Sequence, residues 1–460
     1  MSSEIAADWR EKLPVAFQAY RADRRIEEVE CVIPDLVGQS RGKAMPFHKF
    51  NPESRFHLPI SLFYQTITGE WVDIEEIDQQ WTETDIILVP DMSTATAAPW
   101  AEEDVTLQVI CDLETRQGEV LEVAPRNVLR RVIQRYAAKG WQPVVAPELE
   151  FYLTKPNVDP NEPIEPPVGR TGRRGTGRQA YSMSAVDEYG PVIDTIYEYA
   201  EAQGLAIDTL IQEGGAGQIE INLLHGDPLW LADQVFYFKR TIREAALKNG
   251  MFATFMAKPM RDEPGSAMHI HQSVLDAKTG RNIFTGEDGR ETPEFYHFIG
   301  GSQIYVQKLM PLFAPYINSY RRLSGGLSAP TNLEWGADNR TTGLRIPSSP
   351  AQHRRVENRV IGIDSNPYLA IAGSLAAGYM GLVEKIEPRA PAVGEVWTEI
   401  GETIPEGAYE ALAAFEESGA VREVLSEEFC ALYAAIKTAE VNEFRQEISP
   451  WERQHLMLNV

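Results

Sequence analysis

The 460-residue sequence has only three cysteines, Cys31, Cys111 and Cys430, far apart and odd in number. Disulfide frameworks need paired thiols and thiolate metal sites need clustered ones, so neither is expected, and a reducing, cytoplasmic setting is. Basic residues are also scarce: 43 Lys and Arg against 67 Asp and Glu leave a formal net charge of −24. Nucleic-acid and anionic-membrane binders need a basic surface that releases counterions, so neither partner is expected. Long hydrophobic runs are missing. The longest weakly charged stretch, Pro367–Val383, falls short of the ~20 residues a membrane helix needs and reads as a buried core helix. The first dozen residues carry Glu4, Asp8 and Glu11 and no apolar run, unlike a signal peptide. There is no Gly-x4-Gly-Lys-Ser/Thr motif, and Gly172, Gly175 and Gly177 do not follow a strand, so neither a P-loop nor a dinucleotide fingerprint is supported.

Hydrophobic residues make up 43% of the chain and charged residues 24%, which suffices for a large core. The length suggests two or three domains. Residues 1–115 read as a small α+β unit. In it Trp9–Tyr20 has helical spacing, Val29–Leu36, Asp85–Val89 and Val105–Cys111 read as strands, and Asp91–Pro99 reads as a loop. The polar turn Glu114–Gly118 marks a boundary, and residues 116–460 form a second, larger unit. There Arg126–Lys139, 188–203 and 228–249 read as helices, and 401–448 is mostly helical. Strands and helices alternate without the rhythm of a doubly wound fold. Pro156–Gly177 is a Pro/Gly/Arg-rich excursion of the length typical of lids, binding loops or disordered segments.

Four strand-like segments carry polar groups on one face, since successive side chains of a strand point to opposite sides. In Val144–Leu153, Leu149, Phe151 and Leu153 take one face and Glu148 and Glu150 the other. Gln218, Glu220 and Asn222 oppose Ile219 and Ile221, and the Gly214-Gly215-Ala216-Gly217 turn can fold Glu213 back towards Glu220. His269, His271 and Ser273 oppose Met268 and Ile270, and Arg355, Glu357 and Arg359 share one face. Singly, each pattern has a plain alternative: a solvated glutamate face, a hydrogen-bonded core histidine, a salt-bridged arginine row. Together they point to one site. Adjacent carboxylates in an apolar strand repel each other and resist desolvation, and a cation removes both penalties. The five glutamates supply about −5, which two hard divalent cations nearly balance, and oxygen donors with one imidazole suit Mg²⁺ or Mn²⁺. Arg322, Arg340, Arg345, Arg355 and Arg359 add planar forks for phosphate and carboxylate oxygens. Metal-bridged phosphates among arginines are the working parts of phosphoryl transfer, so the residues indicate an ATP-dependent enzyme acting on an anionic acceptor.

At these residues the chain resembles the glutamine synthetase superfamily. The resemblance rests on Pro147-Glu148-Leu149-Glu150-Phe151, Glu213 with Gly217-Gln218-Ile219-Glu220, Lys258-Pro259-Met260 leading to Gly265-Ser266-Ala267-Met268-His269-Ile270-His271, Asn318-Ser319-Tyr320-Arg321-Arg322, Asn339-Arg340-Thr341-Thr342-Gly343-Leu344-Arg345, Arg354-Arg355-Val356-Glu357-Asn358-Arg359 and Asn366-Pro367-Tyr368-Leu369. It implies an α+β fold, with a small N-terminal β-grasp-like domain and a large catalytic domain whose antiparallel sheet is flanked by helices. It further implies Glu150, Glu213 and Glu220 on one metal and Glu148, His269 and Glu357 on another. His271, Ser273, Arg345 and Arg355 would contact ATP, and Arg322, Arg340, Arg359 and Gly265 would hold L-glutamate. Arg340, Arg345 and Arg359 would stabilise transferring charge. Members of the family assemble as homo-oligomeric double rings, commonly dodecamers, with active sites between subunits.

Two departures bear on the acceptor. The stretch around Leu58–Tyr64 lacks the Asp-Gly-Ser-Ser segment of ammonia-using bacterial members, and Leu327-Ser328-Ala329-Pro330 lacks their glutamate before Ala-Pro. Asp35-Leu36-Val37-Gly38, Val123-Ala124-Pro125-Arg126-Asn127 and Ala253-Thr254-Phe255-Met256 instead resemble the γ-glutamylpolyamine synthetase branch, a pattern shared with ligases for isopropylamine, ethanolamine or aniline. The expected reaction joins the γ-carboxylate of glutamate to a primary amine or polyamine such as putrescine. Ammonia-dependent glutamine synthesis, a phosphagen-type kinase and a catalytically silent paralogue are the alternatives. Trp335 is expected either near the amine or in the core, and Glu334 is a nearby carboxylate outside the family pattern.

Overall fold

The computed structural model describes residues 9, 13–72, 82–101, 104–323, 329–396 and 404–460. Among them, strand pairing builds two sheets. The first holds β1 (Ile26–Pro34), β2 (Ser40–Pro46), β3 (Phe56–Pro59), β4 (Asp85–Pro90), β5 (Thr96–Ala97) and β6 (Val105–Glu114), in the order β2-β1-β6-β4-β3 with β5 on β6. Only β1 and β6 run parallel. The helix expected over Trp9–Tyr20 is, within the described residues, Val15–Arg21. Pro14 occupies its N-cap with an extended ψ of 144°, since a proline inside the helix would remove a hydrogen bond and clash with the preceding turn. Asp91–Pro99 is more regular than expected: Asp91 caps a 3-10 turn at Met92–Thr94, and β5 follows.

The second sheet holds β7 (Trp141–Thr154), β8 (Ile207–Gln212), β9 (Gln218–Leu223), β10 (Phe252–Thr254), β11 (Ile270–Asp276), β12 (Trp335–Ala337), β13 (Leu344–Ile346) and β14 (Val356–Asn358). Its order is β12-β13-β14-β11-β7-β9-β8, with β10 also on β7, and every pairing except β12–β13 is antiparallel. Leu149, Phe151 and Leu153 of β7 are fully buried, and helices Pro125–Ala138 and Pro228–Lys248 pack on this strand. Burying these apolar faces drives the sheet and helices together and leaves the polar face of β7 turned away.

The expected core helix spans Pro367–Glu384 and is buried over nearly its whole length. Asn366 caps it by accepting from the Tyr368 N–H at 3.0 Å, and its side-chain amide donates to the Asp35 carbonyl at 2.9 Å. One cap therefore starts the helix and ties it to the end of β1. Glycines set how closely this helix meets Pro293–Tyr305: a Cβ on Gly301 would lie 2.4 Å from the Gly381 Cα. The C-terminal helices are Ala408–Glu417, Gly419–Leu425 and Glu427–Phe444; the expected start at 401–403 lies outside the described residues. No helix of the described residues is long and apolar enough to cross a membrane, and the three cysteines are buried free thiols.

Candidate active site

The strand register turns the alternation seen in the sequence into a row across the sheet. Glu150 pairs with Glu220 and Glu148 with Asn222 between β7 and β9. On the other side of β7 the Glu148 N–H donates to the His269 carbonyl at 2.9 Å. His271 of β11 pairs with Glu357 of β14, which pairs with Arg345 of β13. Glu213 begins the β8–β9 turn, where its N–H donates to the Gln218 carbonyl at 2.9 Å.

All six expected ligands converge. His269 Nδ1 lies 3.2 Å from Glu148 Oε2, 3.9 Å from Glu150 Oε1 and 3.8 Å from Glu357 Oε1. Among the described residues, two sets of donor atoms lie close together, Glu148–Glu220–His269 and Glu148–His271–Glu357; Glu150 and Glu213 are in neither set, although both line the same cavity as Glu148, Glu220 and His269. This partition differs from the expected one, because Glu148 stands between two imidazoles and belongs to both groups. His271 Nε2 lies 2.9 Å from Glu148 Oε1. Arg355 Nε donates to His271 Nδ1 at 3.2 Å, which leaves the imidazole proton on Nε2, directed at Glu148.

Electrostatics show why a cation belongs here. Burial, reinforced by the charge of Glu213, pushes the Glu150 carboxyl up to about 8. Burial, with the charges of Glu148 and Glu150, pushes Glu220 up to about 9, and burial raises Glu213 as well. Among the described residues, no arginine hydrogen-bonds these three. Glu150 accepts from the Ala267 N–H at 2.8 Å and Gln218 Nε2 at 3.3 Å, and Glu213 from the Gly214 N–H at 3.3 Å. Burial lowers His269 to about 4, Arg359 adding to the effect, so at neutral pH the ring is uncharged and retains a lone pair for a ligand. Excess buried carboxylate with one neutral imidazole fits a hard divalent cation.

Two cavities meet at this row. One, of about 460 Å³, is lined by Glu148, Glu150, Glu213, Glu220 and His269 together with Gly265, Arg322, Arg340, Arg345 and Arg359. The other, of about 400 Å³, is lined by Glu148, His271, Ser273 and Arg355. Glu148 and Asn222 line both. Three of the four residues expected to contact nucleotide share the second cavity, while Arg345 lies in the first. It is held there by hydrogen bonds to Glu357 Oε2 at 2.8 Å and Asp338 Oδ1 at 2.6 Å. Arg359 donates to Glu357 Oε1 at 2.6 Å. Against burial, which alone would raise it, Arg359 and His269 hold Glu357 down at about 2. Arg322 donates to the Val360 and Arg359 carbonyls at 2.8 and 2.9 Å. Gly265 is required beside it, because a Cβ would lie 2.5 Å from Arg322 Cγ and 2.8 Å from the Ala257 carbonyl oxygen.

Trp335 is a core aromatic. It donates to the Arg389 carbonyl at 2.7 Å and packs edge-on against Phe295 and Tyr296. Glu334 pairs with Arg389 at 3.2 Å. Ser328 lies outside the described residues. Two contributors were visible in the strand parity without being assigned a role. Gln218 fixes Glu150, the Gly265 carbonyl and Ser266, and among the described residues the buried Asn222 Oδ1 has no partner. Tyr181 had no sequence signal. The Pro/Gly/Arg-rich excursion ends by docking on the β8–β9 turn, with the Arg178 N–H on the Gly214 carbonyl and the Tyr181 N–H on the Gln212 carbonyl. This places Tyr181 at the first cavity.

The catalytic-domain profile described as "Glutamine synthetase, catalytic domain" matches residues 122–456, and the chain belongs to the glutamine synthetase family. Among individual proteins, it is 35% identical over 434 residues to gamma-glutamylputrescine synthetase PuuA of Escherichia coli K12, covering 94% of this chain and 92% of that protein. It is 34% identical over 378 residues to a glutamate–isopropylamine ligase of a Pseudomonas species, covering 80% of each. The solved GmaS/ADP complex superposes with a TM-score of 0.80 at 26% identity, covering 96% of this chain and 99% of that one.

Proposed function

We propose that this family ligase joins the γ-carboxylate of L-glutamate to a primary alkylamine or polyamine, such as putrescine, at the expense of ATP. The observation that carries the reading is the convergence of five glutamates and His269 beside an arginine-lined cavity, with a second cavity sharing Glu148. The names of the two amine ligases in its likeness support an amine acceptor.

In this reading Glu150, Glu213 and Glu220 hold one Mg²⁺ or Mn²⁺, and Glu148, His269 and Glu357 hold a second. Bound there, such ions supply Lewis-acid neutralisation of phosphate oxygens. His271, Ser273 and Arg355 orient the nucleotide from the second cavity. Arg322, with Gly265 leaving room for its stem, receives the substrate carboxylate, and Arg340 and Arg359 hold the γ-carboxylate in line with the phosphate. Arg340 and Arg345 stabilise charge on the transferring phosphoryl group, giving γ-glutamyl phosphate. The amine, after giving its ammonium proton to solvent, attacks the acyl carbon; the carbonyl electrons collapse back, inorganic phosphate leaves, and the nitrogen sheds its extra proton to give the amide. Tyr181 lines the same cavity and offers its ring to the carbon chain of the amine.

The same reading divides the chain into an N-terminal β-grasp-like domain, 1–115, and a catalytic domain, 116–460. It assembles the chain as a cytoplasmic double-ring homo-oligomer of twelve subunits with active sites between neighbours, testable by native mass measurement. The decisive experiment is phosphate release with ATP and glutamate across ammonium, putrescine, isopropylamine and ethanolamine. An amine should give the highest kcat/KM; ammonium in first place would make the protein an ordinary glutamine synthetase.

A further inference from the structure

A third cavity, of about 610 Å³, lies between the β1–β2 turn and helix Pro228–Lys248, away from the carboxylate row. Lys239 and Arg243 stand one helical turn apart on the same side, and both line it. Arg243 stacks over the Phe255 ring at 4.9 Å and, among the described residues, pairs with no carboxylate. Lys239 donates to the Ile363 and Ser365 carbonyls, also without a carboxylate bond. Arg240 between them is already bound to Glu30, at 2.6 and 3.3 Å. Among the described residues, the one acidic residue lining the cavity is Asp364. Its Oδ2 accepts from Ser319 at 2.6 Å, and among the described residues its buried Oδ1 has no partner. Burial, with Arg243 nearby, lowers the Lys239 ammonium to about 7, the mark of a cation short of counter-charge. Val37, Phe236 and Phe255 supply apolar walls.

We propose that this cavity binds a small dianion, of the phosphate or short-dicarboxylate class, on Lys239 and Arg243, and that its occupancy is coupled to the active site. The link is helix Ile317–Leu323. Asn318 lines the third cavity, Ser319 bonds Asp364, and Arg322 lines the first cavity beside Glu150. A dianion on Lys239 alters the field on Asp364, and through Ser319 the seating of Arg322. Such coupling is reciprocal, so glutamate must tighten the dianion as much as the dianion tightens glutamate.

The test uses the full chain with chelator and without nucleotide or glutamate. Thermal unfolding is followed against potassium phosphate, potassium malonate and, at matched ionic strength, potassium chloride. A saturable rise in Tm with phosphate or malonate and not chloride is expected, and which of the two saturates first identifies the source. Arg243→Gln, which removes no protein hydrogen bond, should weaken the response about tenfold. Arg340→Gln, in the first cavity, should leave it intact. In the complete assay malonate should change the glutamate KM severalfold in the parent and not in Arg243→Gln. A response that fails to saturate, survives Arg243→Gln or vanishes in Arg340→Gln overturns the site. A saturable response with an unmoved KM overturns the coupling. Because the binding arm needs no turnover, it stands apart from the identity of the amine.

Discussion

Two charge clusters of this molecule, each gathered from residues far apart in the sequence, behave as opposites. The first lies between the sheets. There Arg126, only 4% exposed, donates to Asp233 at 3.0 and 2.8 Å, to Asp91 at 2.8 Å and to Asp112. Arg130 adds bonds to Asp112 at 2.9 and 3.1 Å, and the Tyr368 hydroxyl donates to Asp233 at 2.7 Å. Each carboxylate there accepts from a guanidinium. The second cluster is the carboxylate row, where Glu150, Glu213 and Glu220 accept from none and all three are raised. A cluster that satisfies itself is structural; one that leaves buried charge unanswered is built for something that arrives.

The sharpest way to break this contrast is Arg126→Met. It leaves the buried Asp233 without a guanidinium, Asp112 keeping Arg130 and Asp91 being part-exposed, and should cost about 3–5 kcal/mol in urea unfolding, with activity per folded molecule preserved. Glu220→Gln should do the reverse. Activity should fall on the order of 10³-fold, while the chelator-treated protein unfolds at the same or a higher urea concentration, because a carboxyl that burial forces to take up a proton on folding has gone. pH separates the members of the row more gently. Glu150 and Glu220 hold protons in the folded state up to about 8 and 9, well after the unfolded chain has released them. The stability of the chelator-treated protein therefore falls as pH rises from the ordinary glutamate range through that window, and added Mg²⁺ should flatten the fall. Glu357, held at about 2, has the opposite sign, its contribution disappearing only as pH drops towards 2. Smallest in effect on turnover, Gly265→Ala should displace Arg322 and raise the glutamate KM about tenfold, with kcat little changed and Tm lowered because the Cβ also meets the Ala257 carbonyl oxygen; an unmoved KM would remove Arg322 from substrate binding.

How much of this was legible follows from the geometry of each part. Period-two alternation is written directly into a strand, so Glu148 with Glu150, Gln218 with Glu220, and His269 with His271 could be placed on common faces from spacing alone. The core helix was equally plain, because Asn366-Pro367 is a start signal and an unbroken apolar run follows. Register was not legible. That Glu150 faces Glu220 and that Glu357 faces both His271 and Arg345 depends on strands far apart in the chain. Nor was the role of Tyr181, which depends on where an irregular excursion lands, or the division of the arginines between two cavities. Trp335 shows the limit from the other side: an aromatic next to a functional motif turned out to be packing.

Glu148 and Asn222 form the wall common to the first two cavities. A side chain touched from both sides makes the two substrates aware of each other before any bond is made. The kinetic pattern to expect is therefore sequential, with intersecting lines for ATP and glutamate rather than the parallel lines of a double displacement. Futile loss of phosphate to water should be smallest when both chambers are filled.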